Sequence, residues 1–107
     1  MQESAIEQAV CTYAKKKGFL ALKMNSSSRR GLPDRVFLGN NIVFFIEFKK
    51  KDKKATKIQE YFSNLLTEKG FSVYLVDNVL TGKRIVDIYH DNRHQHSQLF
   101  AEKISNF

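Results

Sequence analysis

The most hydrophobic run of the chain, NIVFFIEFK at Asn41 to Lys49, carries two charged side chains, Glu47 and Lys49. Runs of β-branched and aromatic residues favour buried strands. A shorter run of the same kind, DRVFL, begins at Asp34. The two runs are separated by Gly39-Asn40-Asn41, residues that tolerate the positive φ angles of tight hairpin turns. The sequence therefore predicts a β-hairpin whose apolar second strand bears a glutamate and a lysine.

Three charged groups are expected to converge at one end of this hairpin. Side chains two apart on a strand point to the same face, so Glu47 and Lys49 project together. If the strands pair around the turn, Asp34 lies at that same end of the first strand. The alternative interpretation is a surface ion-pair cluster on an edge strand.

The residue types at this point predict metal-assisted phosphodiester hydrolysis. Two adjacent carboxylates repel each other unless a cation lies between them. Carboxylate oxygens suit Mg²⁺ or Mn²⁺, and the backbone carbonyl of Phe48 is a natural additional ligand. The metal would polarise a phosphoryl oxygen and lower the pKa of a water molecule. The ammonium of Lys49 would orient that water or stabilise the pentacovalent charge.

The remaining periodicities predict a mixed α/β domain in which helices cover a sheet. Ser4-x-x-Glu7 and Thr56-x-x-Gln59 each fit a capping box at the start of a helix. The predicted order is a helix at Ser4 to Lys17, strands FLALKM, DRVFL and NIVFFIEFK, a helix from Thr56 to about Lys69, strand FSVYLVD, and a short helix at Lys83 to Tyr89. The chain of 107 residues is expected to form one domain, 1–107, with its core at about 4–77 and a helix and tail at 78–107 that could contact DNA or a second copy.

The net charge of +7 favours a polyanionic partner, and the clustering of the basic residues makes nucleic acid the leading one. The side chains expected to grip phosphates are Arg29, Arg30, Arg35, Lys50, Lys51, Lys53 and Lys54. No apolar run approaches the length of a membrane span, and the N-terminus lacks the order of a signal peptide. A soluble, cytoplasmic protein is expected, with no membrane partner.

The joint pattern of GLPDR, EFK, a glutamate in a preceding helix and a glutamine in a following one resembles the PD-(D/E)xK nuclease superfamily, specifically its virus-type replication-repair nuclease branch, the VRR-NUC domain. The resemblance covers about Ser4 to Asp77. It implies the restriction-endonuclease-like fold, a mixed central sheet flanked by helices. It also implies that Asp34 and Glu47 bind a divalent metal and that Lys49 is catalytic.

Two further site residues are carried over from the family pattern alone. Glu7 corresponds to the helix glutamate at the metal site, and Gln59 corresponds to the helix glutamine. Each also fits a capping box that would explain it without catalysis. Glu3, one helical turn before Glu7, is the rival for the glutamate's role.

Stand-alone, phage-type members of this family resemble Holliday junction resolvases and act as homodimers. The resemblance therefore implies a Mg²⁺- or Mn²⁺-dependent, structure-selective DNA endonuclease, acting in the bacterial cytoplasm if a phage encodes it. The apolar residues proposed to contribute to a dimer are Phe37, Phe44, Tyr61, Leu99 and Phe100. The alternatives are a basic, non-catalytic nucleic-acid-binding module with a nuclease-derived fold and a sequence-specific restriction-like endonuclease.

Three other features predict no further chemistry. TGKR at Thr81 to Arg84 lacks the first glycine and the spacing of a phosphate-binding loop, so no nucleotide cofactor is expected. His90, His94 and His96 lie in a polar tail without a carboxylate or cysteine frame for zinc. Cys11, the single cysteine, is expected in the core.

Overall fold

The computed structural model describes residues 1–24 and 30–91, and all structural statements below concern these residues. Helices and strands follow one another in the order that the hydrophobic pattern predicts. In chain order they are α1 (Glu3–Lys16), β1 (Leu20–Lys23), β2 (Arg35–Gly39), β3 (Ile42–Phe48), α2 (Lys57–Glu68), β4 (Ser72–Val76) and α3 (Val79–Asp91). The last helix is longer than the segment predicted from Lys83 to Tyr89.

The described strands form one mixed sheet in the order β1-β2-β3-β4. β2 pairs antiparallel with both β1 and β3, and β4 lies parallel to β3 after a connection through α2. The predicted hairpin is confirmed, because Gly39 pairs with Ile42 across a two-residue turn. Both turn residues, Asn40 and Asn41, have positive φ angles of 51° and 66°, as a type I′ turn requires.

The main core lies between α1, α3 and one face of the sheet. Alternate residues of β3 point into it, and Phe44 and Phe48 are fully buried. The ring of Phe44 stacks between Phe37 at 4.9 Å and Tyr89 at 4.2 Å, measured between ring centroids. Phe37 and Phe44 therefore cannot contribute to a dimer surface, and that expectation was wrong. Both faces of the strands carry apolar side chains, so the sequence did not reveal which face the helices cover.

The TGKR segment lies inside α3, where its glycine serves helix packing. Gly82 is buried against Val10 of α1, and an added Cβ would overlap the Val10 side chain. Asn78 caps the helix, since its Oδ1 accepts the backbone N–H of Thr81 at 2.8 Å. This cap moves the start of the helix before Lys83, the residue at which the sequence predicted it to begin.

The opposite face of the sheet is less completely covered. α2 packs beside β4, but none of its side chains is fully buried. On the edge strand β1, Leu20 is 55% exposed and Leu22 is 43% exposed. Within residues 1–24 and 30–91, no helix has the length and apolar character needed to cross a membrane.

Candidate active site

Asp34 lies at the entrance to β2, directly beside the end of β3. The pairing of β2 with β3 ends with Arg35 opposite Ile46. Asp34 precedes Arg35 in the chain, and continuing the register places it opposite Glu47. Its Oδ2 accepts the backbone N–H of Phe48 at 2.8 Å. Burial raises the pKa of Asp34, and this hydrogen bond partly opposes the rise. The hairpin thus brings both carboxylates to one place, as the alternation of the strand predicted.

Glu47 is the buried acid of the described residues, with 6% of its surface exposed. Its Oε2 accepts the side-chain amide of Gln59 at 2.6 Å and lies 3.6 Å from the ammonium of Lys49. Its Oε1 is buried and has no hydrogen-bond partner. Burial, followed by the charge of Asp34, raises the pKa of Glu47 to about 7. One oxygen of this carboxylate is therefore available to a ligand.

Lys49 comes immediately after β3, and its backbone remains tied to the sheet. Its N–H donates to the carbonyl of Val76 at 2.9 Å, which continues the pairing of β3 with β4. This bond preserves the strand alternation beyond Phe48, so the Lys49 side chain projects on the Glu47 side. The sequence prediction that these two charges act side by side is consistent with their 3.6 Å separation.

Gln59 has two roles in the structure rather than one. Thr56 caps α2, with its hydroxyl accepting the N–H of Gln59 at 3.3 Å and its own N–H donating to Oε1 of Gln59 at 2.9 Å. The other end of the same amide donates to Glu47. The capping box and the active-site interpretation are therefore compatible, and the cap orients the amide for its second contact.

The predicted capping box at Ser4 and Glu7 was wrong. α1 begins at Glu3, with Gln2 as a cap residue that makes no side-chain hydrogen bond, so Ser4 lies inside the first turn. The Glu7 carboxylate instead accepts Nε of Arg35 at 2.6 Å. Arg35 also donates from Nη1 to the carbonyl of Ala21 at 3.1 Å. The guanidinium is thus bound within the molecule, on the side of the sheet that faces α1.

Both glutamates at the start of α1 influence the acidic pair. The charge of Glu7 contributes to the raised pKa of Asp34, and the charge of Glu3 contributes to that of Glu47. The Glu7–Arg35 ion pair was not predicted from the sequence. Strand alternation could have indicated it. Arg35 directly follows Asp34, so its side chain must point to the opposite face of the sheet.

Gly31 connects the Asp34 segment to α2. Its φ is +90°, and an added Cβ would lie 2.8 Å from the backbone carbon and oxygen of Ile58. Ile58 directly precedes Gln59, so this close approach fixes the segment that carries Asp34 against the turn that carries Gln59. Pro33, which follows in the same segment, is fully buried.

The basic residues predicted to bind phosphates lie in different environments. Arg30 and the lysines at 50, 51, 53 and 54 are exposed. Arg35 is partly buried and ion-paired, which sets it apart from the others. Arg29 lies outside the described residues, as do Leu99, Phe100, His94 and His96. His90 lies in α3, 3.2 Å from Asp91, and Tyr61 is 58% exposed.

The acidic pair fits a divalent cation better than it fits an ordinary ion pair. Two carboxylates with raised pKa values lie beside each other, and one buried oxygen has no donor. No cluster of three or more His, Cys, Asp or Glu side chains suited to a metal occurs in the described parts of the chain. The candidate ligand set is therefore Asp34, Glu47 and the Phe48 carbonyl, with water and substrate oxygens completing it.

Comparison with known proteins bears on the fold and on the class of protein. No protein-family model matches the chain. A phage protein described as "Putative nuclease p44", from Acyrthosiphon pisum secondary endosymbiont phage 1, is 34% identical over 79 residues, which cover 73% of this chain and 85% of that protein. A solved structure described as "VRR_NUC domain" superposes with a TM-score of 0.74 at 19% identity, covering 81% of this chain and 96% of the other.

The chain belongs to the family of this phage nuclease, and it has the fold of the VRR-NUC domain. The restriction-endonuclease-like fold predicted from the sequence is confirmed, with its mixed sheet and its helices on both faces. The hairpin that brings Asp34 to Glu47 supplies β2 and β3, the two central strands of the described sheet.

Proposed function

We propose that this nuclease is a divalent-metal-dependent endonuclease that cuts DNA, preferably branched DNA such as a four-way junction, as a homodimer. The observation that carries the metal-dependent part is the free buried oxygen of Glu47 next to Asp34. A buried acceptor without a donor is costly in a folded protein. A cation between the two carboxylates removes that cost.

Asp34, Glu47 and the Phe48 carbonyl would hold Mg²⁺ or Mn²⁺, with Glu7 as an outer partner. When bound, the metal supplies a Lewis acid for a phosphoryl oxygen and a lower pKa for the attacking water. The Phe48 N–H fixes Asp34 through its 2.8 Å hydrogen bond, which leaves the second oxygen of Asp34 for the site. Glu7 is turned toward Arg35, so its influence on the site is electrostatic in this arrangement.

Lys49 would act on the substrate, and Gln59 would position a metal ligand. The Lys49 ammonium, 3.6 Å from Glu47, would stabilise the charge that develops on the phosphate or orient the water that attacks it. Gln59 restrains one oxygen of Glu47, so the carboxylate cannot rotate away from the site. Together they keep the reactive groups in one geometry before substrate binds.

The homodimer follows from the substrate that we propose. Two symmetric cuts in a branched molecule need two active sites related by a two-fold axis. The edge strand β1 offers an exposed apolar surface for a second copy, formed by Leu20 and Leu22. Replacing both leucines with lysine should convert a dimer into a monomer in analytical ultracentrifugation. A wild-type protein that sediments as a monomer at high concentration would contradict the dimer.

A labelled substrate panel tests the proposed function. Four-way junctions, flaps, nicked duplexes, linear duplexes and single-stranded RNA are incubated with the protein in Mg²⁺ or Mn²⁺. We expect metal-dependent cleavage that is fastest on the junction. Binding without cleavage in either metal would favour the non-catalytic module, and equal cleavage of RNA would contradict the restriction to DNA.

A further inference from the structure

The lysine turn, defined as residues Lys50 to Lys53, directly follows the candidate active site. The N–H of Lys53 donates to the carbonyl of Lys50 at 3.0 Å, which closes a β-turn. Asp52 adopts a positive φ of 64° within it. All four residues are exposed. The turn is therefore a defined structure that presents basic side chains beside Glu47 and Lys49.

Asp77 is the residue that holds this turn. It follows β4, and its Oδ2 accepts the backbone N–H of Asp52 at 3.2 Å. Its Oδ1 accepts the side-chain amide of Asn78 at 2.9 Å. Asn78 in turn caps α3. One carboxylate thus ties the lysine turn to the start of a helix packed on the core.

The negative charge of Asp77 lies where electrostatics alone would favour a neutral or basic side chain. A surface that binds a polyanion gains affinity from each cation and loses it from each anion. The charge of Lys51 and the hydrogen bonds from Asn78 and Asp52 lower the pKa of Asp77, with the Asn78 bond the largest cause. Asp77 therefore carries a full negative charge at neutral pH next to the lysines. A structural role would explain why an acid lies at this position.

We propose that Asp77 is a positioning residue for the nucleic-acid substrate. By accepting the Asp52 N–H it fixes the conformation in which the lysine turn meets the phosphates that flank the active site. This inference depends on the nucleic-acid substrate of the proposed function. Asp77 should therefore strengthen binding through the turn that it holds, although its negative charge alone would weaken binding.

Binding of a fluorescein-labelled four-way junction, followed by anisotropy in chelator to prevent cleavage, tests this inference. Asp77→Ala should weaken binding by about threefold to tenfold and should lower the slope of log affinity against log salt by about one phosphate contact. Electrostatics alone predicts tighter binding. Affinity equal to or above that of the wild type would overturn the proposal.

Two control variants separate charge from conformation. Asp52→Gly removes a negative charge from the turn but keeps both the N–H donor and the positive φ, so it should bind more tightly than the wild type. Glu68→Ala removes an exposed acid at the far end of α2 and should leave affinity within about twofold of the wild type. Weakening by Asp52→Gly to the level of Asp77→Ala would contradict the proposed role of the turn.

A loss of folding is distinguished by thermal unfolding of each variant. If Asp77→Ala is unfolded, Asp52→Pro provides the second route, because proline removes the donor and cannot adopt the positive φ. Asp52→Pro should weaken binding although it also removes a negative charge. Absence of binding by the wild-type protein would overturn the proposed function itself, whereas wild-type binding with an unaffected Asp77→Ala variant would overturn this inference alone.

Discussion

Gln59 donates its side-chain N–H to Oε2 of Glu47 at 2.6 Å while its side-chain oxygen accepts the N–H of Thr56 at 2.9 Å. An amide has one end that donates and one that accepts. Because the capping box uses the oxygen, the nitrogen is left for the carboxylate. The start of α2 therefore determines the orientation of a group in the candidate active site.

Substitutions at Gln59 should separate the two roles. Gln59→Glu keeps an oxygen for the Thr56 N–H but places a second carboxylate against Glu47, so cleavage should fall by about tenfold or more with the helix preserved. Thr56→Ala should cost about 1 kcal/mol of stability with a smaller effect on the rate. Single-turnover cleavage and thermal unfolding measure both. A Gln59→Glu enzyme as fast as Thr56→Ala would show that the contact with Glu47 is unimportant.

The raised pKa of Glu47 predicts a loss of stability with increasing pH in the metal-free protein. In the unfolded chain this group ionises near pH 4.5, and in the folded protein at about 7. The folded state binds this proton more tightly, so the contribution of Glu47 to the free energy of unfolding is most favourable below pH 4.5 and decreases until the pH passes 7. The full decrease is on the order of 3 kcal/mol.

Urea unfolding in chelator at several pH values measures this decrease. Glu47→Gln cannot ionise at this position and should reduce the difference between pH 5 and pH 8, while carboxylates distant from the site contribute equally to both proteins. Adding Mn²⁺ at pH 8 should restore stability to the wild type and not to the variant. Parallel pH profiles for the two proteins would contradict the buried, raised pKa of Glu47.

Gly31→Ala should impair catalysis more than its effect on stability would suggest. Three glycines of the described chain, Gly18, Gly31 and Gly70, have φ near +90°, but only at Gly31 would a Cβ meet another element. All three alanine variants should lose about 1–2 kcal/mol from backbone strain. Only Gly31→Ala should also displace Asp34 and Gln59 and lower the cleavage rate. Equal rates among the three folded variants would rule out this positioning role.

Gly82→Ala should destabilise the protein although alanine favours helices. The added methyl group overlaps Val10, which is fully buried, and the overpacking should cost about 1–3 kcal/mol, more than the helix propensity of up to 1 kcal/mol returns. A double-mutant cycle with Val10→Ala measures the contact. We expect the penalty of Gly82→Ala to disappear in the Val10→Ala background. A penalty that persists there would place its cause elsewhere.

The sequence predicted best what depends on local periodicity. Strand alternation and the Asn40-Asn41 turn brought Asp34 to Glu47 and placed Lys49 beside it, because register fixes these relations once the hairpin forms. The same reasoning identified the Thr56 cap. It could not decide which sheet face the helices cover, and so Phe37 and Phe44 were wrongly expected at the surface.

The sequence did not predict contacts between elements distant in the chain. Arg35 contacts Glu7 because α1 packs on the sheet. Asp77 contacts the backbone of Asp52 because β4 pairs with β3. Ser4 and Glu7 have the residue types of a capping box, but the helix begins at Glu3, and the glutamate is taken by a stronger charged partner. The partner that each of these side chains takes is determined by tertiary packing rather than by the spacing of residues in the sequence.

The central claim is that Asp34, Glu47 and Lys49 form the active site of a metal-dependent nuclease. Single-turnover cleavage of a labelled four-way junction in Mg²⁺ and in Mn²⁺, by the wild type and by folded Glu47→Gln and Lys49→Ala variants, tests it most directly. We predict cleavage by the wild type and a rate at least about 100-fold lower for each variant. Cleavage at wild-type rates by either variant, or no cleavage by the wild type in either metal, would contradict the assignment.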